Sequence, residues 1–311
     1  MSFLAIAGQL ESFSLVRMCT DSILTSACQH CMRLRSVDVS GSAHVTDLSV
    51  SSLLALRHLT HLDVFGTGVT AEGLARLVQG LPSTLKALGC THAHLGQVEA
   101  SFPMLTSLRA GLDCVDGTLP WFGNMADLLG HRLLKLELHG CKGVDVGVVA
   151  HNCCALESFV MSSCSYSPRL HQTIRRNVLG FQRLKRLTLD KSSKFPAYPN
   201  IDKLVLECAL CSAHEIQVVR VESYAHFTRQ FFERLLATND MRHLRELFLF
   251  ATYSDVMDLS TLTFLLMRCR SLDLVSLRGL AVPGVETFQK WIKHDFPEVE
   301  LSIEVMEPCG F

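Results

Sequence analysis

Apolar residues along this chain fall into a short phrase, L-x-x-φ-x-φ with φ apolar, that returns between polar positions. It opens at Leu10, Leu34, Leu59, Leu85, Leu105, Leu133, Leu156, Leu184, Ile201, Ile216, Leu244 and Leu272. Successive starts lie 24, 25, 26, 20, 28, 23, 28, 17, 15, 28 and 28 residues apart. A phrase returning at this period predicts stacked coils, each opening with a short strand. Strand side chains alternate, so the fourth and sixth phrase residues point into a core and the residues between them face solvent.

The longer intervals carry a second apolar pattern, of helical spacing. "VTAEGLARLVQGL" (69–81) places Leu74, Leu77, Val78 and Leu81 on one side. "FTRQFFERLLATN" (227–239) does the same with Phe227, Phe231 and Leu235, and "LSTLTFLLMRC" and "VETFQKWIKHDF" are two more. Each coil therefore reads as strand, turn, helix and return, with stacking supplying the core that no coil can build alone. The intervals of 17 and 15, around "DKSSKFPAYPN" and "ECALCSAHE", predict coils too short for a helix, and Pro196 and Pro199 also oppose one. A flattened stretch is expected there, between Leu184 and Ile216. The segment "WIKHDFPEVELSIEVMEPCGF" predicts a last helix, a proline-marked break and a closing strand from about Val299 to Val305. The fold class is an α/β solenoid, with parallel strands on a concave face and helices on the convex one.

Cysteine recurs at two places in the coil. Cys31, Cys153 and Cys269 each stand three residues before a phrase, and Cys141 and Cys164 stand three residues after its second strand residue. Other coils place Met18, Ser42, Thr67, Ala209 and Thr252 at that second position, as a tight inward turn requires. A free cysteine suits the place as a small buried hydrophobe. Residues 133–164 state the pattern twice, as Leu133, Leu136, Leu138, Cys141 and as Leu156, Phe159, Met161, Cys164.

With these phrases the chain resembles the cysteine-containing leucine-rich-repeat proteins of the F-box/LRR type, the substrate receptors of SCF ubiquitin ligases. The resemblance runs from about residue 10 to residue 305. It implies a single leucine-rich-repeat domain over 1–311, of about twelve coils, with a closing segment at 286–311. It also implies a protein–protein interaction module that recognises targets for ubiquitin ligation. Proteins of that type carry the F-box upstream of the repeats, where it binds the adaptor Skp1. Here nine residues precede the first phrase, so Skp1 and cullin are expected as partners only where a longer product supplies an F-box. The alternative is a stand-alone regulatory or scaffold repeat protein with no ligase link.

Composition narrows the class. Of 311 residues 48% are hydrophobic and 19% charged, enough for a core and unlike a disordered chain. With 29 basic and 30 acidic residues the formal net charge is -1, which argues against a dominating nucleic-acid or membrane footprint. No uninterrupted apolar run approaches the ~18 residues of a membrane helix. The thirteen cysteines are odd in number and spread along the chain, and no asparagine opens an N-x-[ST] site. A reducing compartment, cytoplasmic or nuclear, is expected.

The chemistry-bearing candidates are few. "CQHC" places Cys28 and Cys31, and "CALCSAH" places Cys208, Cys211 and His214, at zinc-like spacing. The ordinary repeat-cysteine reading is expected instead, with no metal and no cofactor. Neither a G-x-S-x-G elbow nor a phosphate loop is present, so binding is expected rather than catalysis. Most outward strand residues are small, polar or charged. Phe248, Phe250 and Leu274 break that rule, and arginines Arg220, Arg278 and Arg186 stand at outward positions of the same or earlier coils. An exposed apolar patch with arginine nearby is a favoured hot spot for a protein target on the concave face.

Overall fold

The computed structural model describes residues 8–91, 102–111, 129–167, 180–190, 199–223, 227–251, 257–278 and 285–304. The chain forms two compact units, Met1–Gly143 and Val144–Phe311. Both are α/β stacks of the leucine-rich-repeat kind.

In the first unit the described strands are β1 (Ser12–Ser14), β2 (Ser36–Asp38), β3 (His61–Asp63), β4 (Ala87–Cys90), β5 (Ser107–Gly111) and β6 (Lys135–His139). Each pairs in parallel with the next, and the fourth phrase residues align as Val37, Leu62, Leu88, Leu108 and Leu136. All five are buried. One carbonyl per coil fixes this register by accepting two successive N–H groups from the next coil: Arg35 O takes those of Thr60 and His61, at 2.8 and 2.9 Å.

The described helices here are α1 (Asp21–His30), α2 (Val50–Leu54, after a 3-10 turn at Asp47–Ser49) and α3 (Ala71–Gly80). Thr20, Thr46 and Thr70 precede the helical turns and accept N–H bonds from Ile23, Leu48 and Gly73, the usual role of threonine at a helix start. The next residue links coils. Asp21 accepts the Thr46 N–H and hydroxyl at 2.9 and 2.7 Å, and Asp47 accepts those of Thr70 at 2.9 and 2.6 Å. A Thr-Asp pair thus caps its own helix and holds the cap of the following one.

The second unit repeats the scheme with β7 (Ser158–Ser162), β8 (Arg186–Asp190), β9 (Val218–Ser223), β10 (Glu246–Ala251), β11 (Leu274–Arg278) and β12 (Glu300–Glu304). Its core column is Phe159, Leu187, Val219, Leu247, Val275 and Leu301. The described helices are α4 (Val146–Asn152), α5 (Pro199–Leu210), α6 (Arg229–Thr238), α7 (Leu259–Arg268) and α8 (Val285–Asp295).

Several expectations need correction. The phrase at Ile201 is not a strand, and the stretch between Leu184 and Ile216 is one coil with a helix, α5. Pro199 does not oppose that helix because it is its first residue, where the missing N–H has no intrahelical partner to lose; Pro196 lies outside the described residues. Ala209 accordingly sits inside α5 and not at an inward turn. At the first coil Met18 is 74% exposed, and Cys19, 1% exposed, takes the inward place. Thr252 lies outside the described residues.

The cysteines have structural duties. Cys31, Cys153 and Cys269 are the residues that end α1, α4 and α7. Each N–H donates back to the helix, to Ala27, Val149 and Leu265 O, and each carbonyl accepts the N–H of the phrase leucine three residues on. Burial pushes Cys153 and Cys269 up to about 12, so these thiols stay protonated and are poor nucleophiles.

The inward turn after β2, β3, β6 and β7 depends on one left-handed residue. Gly41, Gly66, Gly140 and Ser163 hold it with φ of 72, 67, 66 and 56°. Serine is penalised in that region by its Cβ, so Ser163→Gly should raise stability by about 1 kcal/mol. The Ser163 N–H bond to Asp190 O (2.9 Å) would survive the change. A urea midpoint that stays put or falls would show that the backbone there is not strained.

Candidate functional site

The sequence candidates fall on the strand face of the second unit. Phe248 on β10 lies opposite Arg220 on β9 and Ser276 on β11, and Phe250 lies opposite Glu222 and Arg278. The Arg220 guanidinium stacks over the Phe248 ring at 4.3 Å, and the two phenylalanine rings are 6.4 Å apart. Both rings are half-buried while Arg220 is exposed. Strand alternation explains the pair: Leu247 and Leu249 fill the core at 4% and 2% exposure, which turns residues 248 and 250 outward.

Leu274 is on the adjacent strand but faces Glu246, so it flanks the aromatic pair and does not sit directly beside Phe248. Arg186 is on β8, opposite Ser158 and Val218, two strands from β10. The structure therefore brings together Arg220, Phe248, Phe250 and Arg278, and leaves Arg186 apart.

Sequence reading missed the carboxylates beside them. Glu222 is raised to about 7, first by burial and then by hydrogen bonding and charge from Asp190, against an opposing pull from Arg278. Asp190 also accepts the Ser162 hydroxyl at 3.0 Å. A neighbouring carboxylate makes the charged form of Glu222 costly. Between the ordinary value of 4.5 and about 7 the folded chain holds a proton that the unfolded chain releases. Stability from this pair is thus fully present below pH 4.5 and lost as pH rises through 7. The thermal midpoint of wild type should fall from pH 5 to pH 8 by more than that of Glu222→Gln, and equal slopes would remove the pair from the account.

The first unit also carries a charged strand face. Arg109 on β5 reaches Asp63 Oδ2 at 3.2 Å and Glu137 Oε2 at 3.4 Å, and Lys135 reaches Glu137 Oε1 at 2.7 Å. The His139 nitrogen first, then Lys135 and Arg109, hold Glu137 at about 2 against the effect of burial. Arg109 also stacks on Phe65 at 4.4 Å. Asp63 can reach Arg109 across the intervening strand because that strand presents Gly89, whose Cβ would collide with the Asp63 carboxylate.

The zinc-like clusters do not assemble. Burial pushes Cys28 to about 11 and Cys208 to about 12. Cys211 Sγ contacts the Cys208 carbonyl at 3.5 Å, and His214 is exposed. Among the described residues no three His, Cys, Asp or Glu side chains are placed to hold a metal ion. No helix among the described residues is long and apolar enough to cross a membrane.

The chain matches no protein-family model and no curated protein. Solved structures do resemble it. A chain from the Rad7–Elc1 complex of yeast superposes with a TM-score of 0.63 at 14% identity, covering 93% of this chain and 73% of that one. An internalin of Listeria monocytogenes gives 0.51 at 12% identity, covering 98% of this chain and 84% of its own. At these identities the likeness is one of fold, and that fold is the α/β leucine-rich repeat.

Proposed function

We propose that this chain binds a protein through the strand face of its second unit, and that its role is target recognition for an SCF-type ubiquitin ligase. The observation that carries the binding reading is the Arg220 guanidinium stacked on Phe248, with Phe250 beside it, on ordered parallel strands. A cation stacked on a half-exposed aromatic ring is already fixed in place, so little side-chain freedom is lost when a partner covers it. Aromatic residues and arginine dominate binding energy at protein interfaces. The ligase part rests on the repeated L-x-x-φ-x-φ-x-x-C phrase at 133–164. The Rad7–Elc1 match supports a protein partner in one respect, since the similar chain comes from a complex of two proteins. A cytoplasmic or nuclear setting accords with this role.

The test is to tag this chain and the full genomic reading frame, express both in cells of the source, and identify co-purifying proteins. If the longer product recovers Skp1 and a cullin while both recover the same targets, the chain is the recognition half of a ligase receptor. If the longer product recovers targets without the adaptor, the ligase reading fails and the chain is a stand-alone scaffold.

A further inference from the structure

Strand β4 presents almost nothing on its outward face: Ala87 and Gly89 stand where its neighbours carry His61 and Asp63 on one side and Ser107 and Arg109 on the other. The result is an open cleft of about 250 Å³ over β2–β6, with Asp38, Asp63, Arg109, Lys135 and Glu137 among its lining residues. That volume is below the ~300–1,000 Å³ of sites built for small molecules and cofactors. It has room for one long side chain.

The charge around it is not balanced. Arg109 is engaged by Asp63 and Glu137, and Lys135 by Glu137. Asp38 and Asp63 are direct partners across β2 and β3, an arrangement of like charges that weakens a sheet. Among the described residues no cation pairs with Asp38; its Oδ1 accepts the Ser40 N–H at 3.0 Å. The three carboxylates thus outnumber the two cations, and the surplus lies at the Asp38 end.

We propose that this cleft binds an arginine side chain from a partner polypeptide, its guanidinium held between Asp38 and Asp63. A planar guanidinium presents donors in a fork that can engage two carboxylates at once, which a point-charge ammonium cannot do as well. The hydroxyls of Ser36 and Ser107 line the same cleft and offer bonds to the incoming main chain. This inference rests on the protein-binding reading but uses a different surface from Phe248, and it does not depend on a ligase role.

The test is a 15N NMR titration of the whole chain with the blocked pentapeptide Gly-Gly-Arg-Gly-Gly, beside versions carrying citrulline or glutamate at the centre. The arginine peptide should produce saturable shifts at the Ala87, Gly89 and Ser107 amides, weakened by added salt, and the two controls should not. Asp38→Asn keeps the acceptor for the Ser40 N–H, so its turn survives, and it should weaken the arginine peptide about tenfold, the size of one charge-assisted bond of ~1.4 kcal/mol. Ala87→Leu fills the cleft without changing charge and should abolish the shifts. Phe248→Ala should leave them unchanged, which separates this site from the second unit's face. Equal shifts from the citrulline peptide, no saturable shift from the arginine peptide, or full affinity in Asp38→Asn would each overturn the proposal.

Discussion

Asn239→Asp is expected to destabilise the chain by about 3–5 kcal/mol. Asn239 is 1% exposed and follows the end of α6. Its amide nitrogen donates to Leu210 O at 2.7 Å and to Ala213 O at 3.0 Å, and its oxygen accepts the Met241 N–H at 3.0 Å. Leu210 is the last residue of α5, so one side chain satisfies a helix-end carbonyl of the preceding coil and shapes the turn into its own strand. Aspartate has the same outline but, when ionised, no donor. It would set a buried charge against two carbonyls, each deprived of its partner at about 1–3 kcal/mol. The loss should shrink in acid, where a protonated aspartic acid regains one donor. Urea unfolding at pH 7 and pH 4.5 checks both points, and a variant within about 1 kcal/mol of wild type at pH 7 would show that the carbonyls find other partners.

The second large effect is on binding. Changing Phe248 and Phe250 together to alanine should reduce partner affinity by about 10²–10³-fold, equivalent to two interface anchors of roughly 1.5–2 kcal/mol each. Both rings are only half-buried, and the core column beneath them is Leu247 and Leu249, so global stability should change by about 1 kcal/mol or less. Arg220→Ala should show a smaller loss, because its stacking orders the Phe248 ring but is not itself the apolar anchor. Full affinity in the double variant, with the fold intact by circular dichroism, would move the partner to another surface.

The coil pattern was open to reading because it is repeated and local. Eleven of the phrases became strands at the expected positions, and the closing strand followed at Glu300–Glu304. The phrase at Ile201 misled for a physical reason. Val205, Leu206, Cys208, Ala209 and Leu210 are all buried, and a short run that is apolar on every side has no period to separate strand from helix. Pro199 read as a breaker, yet at the first helical position it is an initiator. In the first coil Arg17 holds the left-handed turn at the same phrase position as Gly41 and Gly66, with φ 64°, yet the inward place falls one residue later, on Cys19, a shift that the phrase alone does not carry.

The candidate sites were legible only in part. Outward positions on β10 follow from alternation, so Phe248 and Phe250 could be named from sequence. Which groups meet them could not, since that needs the register across intervals of 28 residues between Ile216, Leu244 and Leu272. The Asp190–Glu222 pair and the reach of Asp63 over Gly89 to Arg109 are contacts of this kind, 32 and 46 residues apart in sequence. Asn239 is a similar case, because the carbonyls it serves lie 29 and 26 residues upstream.

The central claim is that the strand face of the second unit meets the partner. Site-specific photocrosslinking tests it most directly, with a photoreactive residue at Ser276 on β11, opposite Phe248, and in a separate chain at Glu233, exposed on α6. Ultraviolet irradiation in cells of the source, followed by mass spectrometry, should give a discrete protein adduct from position 276 that disappears in the Phe248/Phe250 double variant. Position 233 should give none. An adduct from position 233 alone, or one from position 276 that persists without the two phenylalanines, would contradict the account.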